Sequence, residues 1–291
     1  MMVFRIRRGY ICFVIALVWG RFVAEPAAEN TSPCRDFDTL KIAACKGMTI
    51  AEAQKKPALC DIALRLSAFA AFLEESGRPC STIVDDVQRR IETLTDTVSY
   101  PIAHGPTQWL GDPKAPVSVV MYVSMSCPAC KHLYGHLYDS LVRDPELAKI
   151  MRLGVAYFTD TRIDLALAAA AQMGKQPDFL RALAEVNERL TPKIVERVAE
   201  SLGISARELW RRADDPATAR MVAQSRAEAA HNGVEVTPTF FINNRRYRSF
   251  KSARWVIDAV RYLSGTAGRW PTANLRLKTG PGELNGKDDF R

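Results

Sequence analysis

Apolar residues run almost unbroken from Val117 to Val123, and then their period changes. The run is rich in β-branched residues and reads as a strand buried on both faces. From Cys127 onward the apolar positions are Cys130, Leu133, Tyr134, Leu137, Tyr138 and Leu141, the three-and-four spacing of one helix face. Pro128 falls at the first helical position, where its missing N–H costs nothing. The pattern therefore predicts a buried strand that turns into a helix at Cys127.

The same reading extends in both directions. Met151 to Phe158 is a second buried strand, and residues from about 162 to 232 form a helical block. Within it, Asp164–Met173 is alanine-rich and ends at Gly174. Pro177–Leu190 turns Phe179, Leu180, Leu183 and Val186 inward. Thr191 and Pro192 open a helix that closes at Gly203, Ser205 to Glu208 is a capping box, and Asp215-Pro216 opens a helix that runs to Gly233. Phe240–Ile242 then reads as a strand, Asn243-Asn244 as a tight hairpin turn, Tyr247–Phe250 as the return strand, and Ser252 as the start of a last helix. Upstream of Val117, the alternation of Val98, Tyr100 and Ile102 suggests a first strand, and Gly111-Asp112-Pro113 a turn before the central one.

Residues 29–96 read as a small helical module. Thr49 to Glu52 is a capping box, Leu59 to Leu73 carries a helical apolar face, and Thr82 to Leu94 another. A core this small is marginal without staples. Ahead of it, residues 1–28 have the form of an export signal: Arg5, Arg7 and Arg8, then a mostly apolar stretch from Tyr10 to Val23, then small residues. Residues 269–291 are rich in Gly, Pro and charge and read as a flexible tail.

Composition changes the picture in two ways. The net charge of +8 is spread over helical faces with acidic residues interleaved, so no basic stripe for nucleic acid emerges. Of the seven cysteines, Cys12 lies in the leader, which leaves an even six in a chain read as exported. Cys34, Cys45, Cys60 and Cys80 sit in the helical module and read as structural disulfides. A nested pairing, Cys34 with Cys80 and Cys45 with Cys60, staples a helical hairpin, yet four cysteines allow three connectivities. The other two form Cys127-Pro128-Ala129-Cys130. Only a thiolate is a nucleophile, and the unpaired N–H groups at a helix start favour one at Cys127. Cys130, one helical turn on, is placed to resolve a mixed disulfide. No cofactor is required by this chemistry. From a different class, Cys127, Cys130 and His132 are candidate zinc or copper ligands, although the cysteine and histidine faces of that helix diverge.

Thr237-Pro238 before the Phe240–Ile242 strand is the second informative stretch. A proline ahead of a core strand suggests a cis bond that leaves the Thr237 backbone to pair with an extended peptide. Taken together, Gly111-Asp112-Pro113, Cys127-Pro128-Ala129-Cys130, the helical block and Gly233-Val234 with Thr237-Pro238-Thr239-Phe240-Phe241-Ile242 resemble the DsbA-like branch of the thioredoxin superfamily, over residues 98–266. The resemblance implies an α/β thioredoxin fold with a helical insertion, here preceded by a small disulfide-stapled all-α module. The thioredoxin domain then spans 97–268. It also implies an exported, periplasmic protein-disulfide oxidoreductase. Cys127 is then the nucleophile, Cys130 the resolving thiol, Pro128 and Ala129 the intervening support, and Thr237 with cis-Pro238 the peptide-binding loop. Client proteins with thiols and a membrane redox partner, oxidase or reductase, follow as partners. Disulfide donation is the lead direction, with isomerase or reductase as the alternative. A homodimer through the N-terminal module would set two sites across one cleft and favour isomerisation. Two departures stand out: Met121 occupies a central-strand position where relatives often carry an acid, and the Pro-Ala dipeptide lacks a histidine.

Overall fold

In the computed structural model, residues 34–249 and 251–265 are described, so the expected export signal at 1–28 and the expected tail at 269–291 lie outside the described residues. After a short 3-10 turn at Asp36–Thr39, the described residues form a two-residue antiparallel ribbon, β1 (Lys41–Ile42) and β2 (Met48–Thr49), in a module otherwise helical. α1 (Ile50–Gln54) follows with the expected capping box at Thr49 and Glu52. α2 (Ile62–Glu75) and α3 (Cys80–Thr95) bury Leu66, Phe69, Leu73, Val87 and Ile91. Leu59 was expected on that face but is 66% exposed, because it sits in the turn before α2 rather than on the helix. The cysteines pair in the nested order, Cys34 with Cys80 and Cys45 with Cys60, with Cα–Cα distances of 5.3 and 5.4 Å. Bridges closing loops of this size restrict the unfolded chain by about 3 kcal/mol or more each in the chain-entropy picture.

The sheet has the order β3-β5-β4-β6-β7. β3 (Trp109–Leu110) lies at one edge, β4 (Val117–Val123) is central, and α4 (Pro128–Arg143) and the short α5 (Pro145–Ile150) cross over to β5 (Met151–Tyr157). β4 and β5 are parallel, so the crossover must be helical. The insertion comprises α6 (Arg162–Gln172), α7 (Gln176–Ala184), α8 (Pro192–Ser201), α9 (Ala206–Ala213) and α10 (Pro216–His231). β6 (Thr239–Ile242) returns antiparallel to β4, and β7 (Arg245–Tyr247) closes the hairpin before α11 (Ala253–Leu263). Asn243 and Asn244 both take the left-handed conformation, φ 47° and 61°, that a two-residue hairpin needs. That turn fixes Ile242 opposite Arg245, so the return strand starts two residues earlier than the sequence pattern predicts, and Phe250 lies outside the described residues.

The double burial of β4 has a simple basis. Val117, Val119, Met121 and Val123 face the larger core, shared with α4, α11 and the N-terminal helices. Val120 and Tyr122 face a second core with Ala156, Ala229, Val234 and Phe241. Gly154 on β5 lies where a Cβ would meet Pro106 at 2.4 Å and the Trp109 ring at 2.9 Å, so the edge connection crosses the sheet closely only because that residue is glycine.

Three expectations are corrected. Residues 98–102 are not a strand: Pro101 has no N–H to give a ladder, and the segment is held by one backbone bond, from the Tyr100 N–H to the Asn244 carbonyl at 2.7 Å, and otherwise by side chains. Asn232 donates to the Pro101 carbonyl at 2.8 Å, and the buried Glu228 carboxylate accepts from the His104 N–H at 2.8 Å and from the Ala103 N–H. The second insertion helix stops at Ala184, not Leu190; Lys131 Nζ donates to the Val186 carbonyl at 2.7 Å and draws the chain off the helix axis. Ser205 caps α9 through the Glu208 N–H, but the reciprocal half of the box is missing because the Glu208 carboxylate is taken by Arg211 and Arg212.

The N-terminal helices are joined to the sheet by buried charge. Asp258 on α11 accepts from Arg65 on α2 and from Arg90 on α3, all three residues being under 10% exposed. Arg90 also donates to the Trp255 carbonyl at 2.8 Å and to the Tyr247 hydroxyl at 3.2 Å, and the Phe69 and Trp255 rings pack edge to face at 4.8 Å. The sequence pattern did not single out these arginines; burial opposite Asp258 makes them structural. Removing one member of a buried pair leaves an uncompensated charge. Asp258→Ala is expected to lower the unfolding free energy by about 3–5 kcal/mol, read by urea denaturation.

Candidate active site

The β4–α4 turn places Cys127 at the N-cap of α4 with extended backbone, φ −92° and ψ 110°, and Pro128 as the first helical residue. The turn is closed by the Cys127 N–H donating to the Ser124 carbonyl at 3.0 Å. Helical geometry then aims the Cys130 N–H at Cys127 Sγ, 3.2 Å away. Cys127 is half-buried and Cys130 is buried, and both are free thiols in this structure. Ala129, between them, is exposed.

The Thr237-Pro238 loop, distant in sequence, meets this turn. The Thr237–Pro238 peptide bond is cis, and Cys127 Sγ lies 3.6 Å from the Thr237 carbonyl, to which the thiol donates. Val236, next to it, is 56% exposed. A cleft of about 720 Å³ opens on the other side of the turn, walled by Pro128, Lys131, His132 and the 184–190 loop.

The environment separates the two thiols. The pKa of Cys127 is lowered to about 6, chiefly by a hydrogen bond from Cys130; burial opposes this, and the Thr237 side chain and the N–H groups of Cys130 and Ala129 add to it. Cys130 is pushed far up, first by burial and then by its neighbour's sulfur and charge. The result is one thiolate and one protonated thiol at neutral pH, a helical turn apart. Chemically, that arrangement attacks a disulfide through one sulfur and releases it through the other.

Residues 103–259, more than half of the chain, match the family model described as thioredoxin. The chain belongs to the thioredoxin family. Its fold is the thioredoxin fold with a helical insertion between β5 and β6, as the DsbA-like resemblance implied. Among solved structures, this thioredoxin-family chain is similar to a thioredoxin-like oxidoreductase from Silicibacter pomeroyi DSS-3, with 24% identity and a TM-score of 0.49 over 60% of this chain and 97% of that one. It is similar to BdbD from Bacillus subtilis, with 21% identity and a TM-score of 0.47 over 59% and 100%. Alpha-DsbA1 from Wolbachia pipientis gives 18% identity and a TM-score of 0.48 over 57% and 94%. A comparison with curated proteins finds no match.

The structure of this thioredoxin-family member thus brings Cys127, Pro128, Ala129, Cys130, Thr237 and Pro238 into one place. Cys34, Cys45, Cys60 and Cys80 are elsewhere, in disulfides. His132 points to the cleft and packs against His136, ring centroids 4.3 Å apart, and among the described residues no group of three or more His, Cys, Asp or Glu side chains is placed to hold a metal ion. Lys251, just before α11, was not legible in the sequence. It is half-buried, which lowers its pKa; Arg246 adds to that fall, and a thiolate at Cys127 works against it. No local motif marks it, because its relation to the thiols is made by the β6–β7 hairpin.

For an acid whose pKa is depressed by folding, the stability gained is present above the unfolded value, about 8.5 for a thiol, and is lost as the pH falls through the folded one. Alkylation of the reduced protein with iodoacetamide is therefore expected to follow a titration with its midpoint near 6 at Cys127, with Cys130 unmodified in the folded chain. From Cys127 the reduced protein is expected to gain stability between that midpoint and about 8.5, above which the raised pKa of Cys130 works against the folded state.

Proposed function

We propose that this protein is an exported thiol-disulfide oxidoreductase that forms disulfides in client proteins through Cys127 and Cys130. The observation that carries this reading is the pairing of a helix-cap sulfur with depressed pKa, Cys127, with a buried thiol one turn away, Cys130. In the oxidised protein a client thiolate attacks Cys127 Sγ. The Cys127–Cys130 bond breaks, and Cys130 leaves with the electron pair and takes up a proton. A second client thiolate then attacks the client sulfur of the mixed disulfide, and Cys127 departs as a thiolate. The client has lost two electrons and both protein cysteines are reduced. A low-pKa leaving group speeds that last step, and its stability as a thiolate favours the reduced protein, which is what makes a pair oxidising.

The Thr237 carbonyl beside Cys127 and the exposed Val236 support an extended client segment lying along this loop. The alternation of roles returns the protein to its starting state only if a membrane redox partner of quinone-linked type reoxidises the pair. Export to the periplasm is supported by the Arg-led apolar segment within residues 1–28. Among the described residues no helix is long and apolar enough to cross a membrane.

Equilibration with glutathione buffers and thiol trapping tests the direction. A potential near about −120 mV, the strongly oxidising end, is expected; a value near about −270 mV would make the protein a reductant instead. A pair that does not exchange at all would remove the enzyme reading.

A further inference from the structure

Asp164 is fully buried at the first turn of α6, in the helical insertion, yet its carboxylate serves two segments of the thioredoxin fold. Oδ1 accepts from the Met125 N–H at 2.9 Å, inside the turn that precedes Cys127. Oδ2 accepts from the Thr161 N–H at 3.0 Å and from the Thr161 and Thr159 hydroxyls, both at 2.6 Å. From Thr159 a chain of hydroxyls continues: Thr159 Oγ1 lies 2.9 Å from Ser124 Oγ, which lies 2.8 Å from Ser126 Oγ. Every residue of the Ser124–Ser126 turn is thus tied to a single carboxylate, Met125 directly, Ser124 through one hydroxyl and Ser126 through two.

Capping α6 explains only part of this. The helix cap needs Thr161 and one carboxylate oxygen; the second oxygen is spent on Met125, which belongs to another element. A buried carboxylate is costly unless its acceptor sites are filled, and here four donors fill them. Those donors come from the β4–α4 turn, the residues after β5 and the start of the insertion. We infer that Asp164 is a positioning residue for the Cys127–Cys130 pair, fixing the Ser124–Ser126 turn so that the first amides of α4 stay aimed at Cys127 Sγ. This inference rests on the proposed exchange activity for its consequence, but the positioning itself does not.

The mechanism is geometric. The Cys127 N–H closes the turn on Ser124, and the Cys130 N–H meets Cys127 Sγ. If the turn loosens, those donors lose alignment while nothing changes at the sulfur itself. Hydrogen bonds to a charged acceptor are stronger than neutral ones and weaken steeply as they bend, so even partial loss of alignment is measurable. Asn in place of Asp keeps the shape but turns an NH₂ donor toward the donors now served by Oδ2, and the Thr161 N–H has no way to reverse its role.

The test compares the full-length chain with Asp164→Asn, with Thr159→Val, which cuts the link to Ser124 at nearly constant volume, and with Thr191→Ala, which removes the α8 cap in the same insertion without touching the turn. Two quantities are read for each: the alkylation midpoint of Cys127 and the equilibrium constant with glutathione. Asp164→Asn is expected to raise the midpoint by about one unit and to shift the equilibrium up to about tenfold toward the protein disulfide, a one-unit shift being a tenfold change. Thr159→Val should move both in the same direction by less, and Thr191→Ala should lower stability while moving neither. An unchanged midpoint in a folded Asp164→Asn protein overturns the inference, as does a Thr191→Ala shift as large as that of Asp164→Asn. Should Asp164→Asn fail to fold, Thr159→Val decides by the same criterion. If the wild-type pair does not exchange with glutathione, the proposed function falls, while the alkylation midpoints still judge Asp164.

Discussion

The site depends on backbone amides being held still around one sulfur. A helix begins with N–H groups that have no intrahelical partner, and a thiolate is a good recipient for them only when it sits at the cap. Here the cap residue is Cys127, the first helical residue is proline, and the Cys130 N–H reaches the cap sulfur. Each of these is a local consequence of sequence. What makes them last is the strand in front. β4 is packed on both faces, so the point from which the turn leaves the sheet is fixed by two separate cores rather than one.

Buried carboxylates pin the parts that the sheet does not reach. Asp258 joins α11 to Arg65 and Arg90 of the N-terminal helices. Glu228 on α10 accepts from Tyr122 of the central strand and from the 103–104 backbone, which has no ladder of its own. Asp164 holds the turn before Cys127. In each case one side chain with several acceptor sites replaces regular secondary structure as the thing that orders a connection. The cost of burying each carboxylate is offset because its partners are backbone N–H groups, hydroxyls or guanidinium groups that would otherwise be buried unpaired.

This division also explains what could be read from the chain. Cys127, Pro128 and Cys130 announce themselves because a helix start has its own grammar of caps, proline and apolar period. Asn243-Asn244 likewise marks a hairpin, since two successive left-handed residues are tolerated by few side chains. Three caps of the insertion, Thr191, Ser205 and Asp215, were legible for the same reason. The failures share a different origin. α7 ends early because Lys131, from α4, takes the Val186 carbonyl. Residues 98–102 alternate like a strand, yet Pro101, the Asn232 side chain and a single bond from Tyr100 to the Asn244 carbonyl decide their path. Arg90 has the look of a surface charge until Asp258 arrives opposite it. All of these are contacts between segments far apart in the chain, and no window of sequence contains both partners.

Met121 brings these strands of argument together. It is fully buried on the α4 side of β4, at the position where the resemblance leads one to expect an acid. A carboxylate there would act on the thiols as a charge, tuning them through distance. Without it, the difference between Cys127 and Cys130 is set by burial and by the hydrogen bonds around the two sulfurs. Charge acts over several ångströms and forgives small movements, whereas hydrogen bonds weaken steeply as they bend. A pair tuned by alignment is therefore more exposed to changes in the turn that carries it than a pair tuned by a neighbouring charge. The acid this fold does place nearby, Asp164, is one step removed from the sulfurs and acts on that turn. The chain keeps a buried carboxylate in its redox region but uses it to hold geometry rather than to set charge.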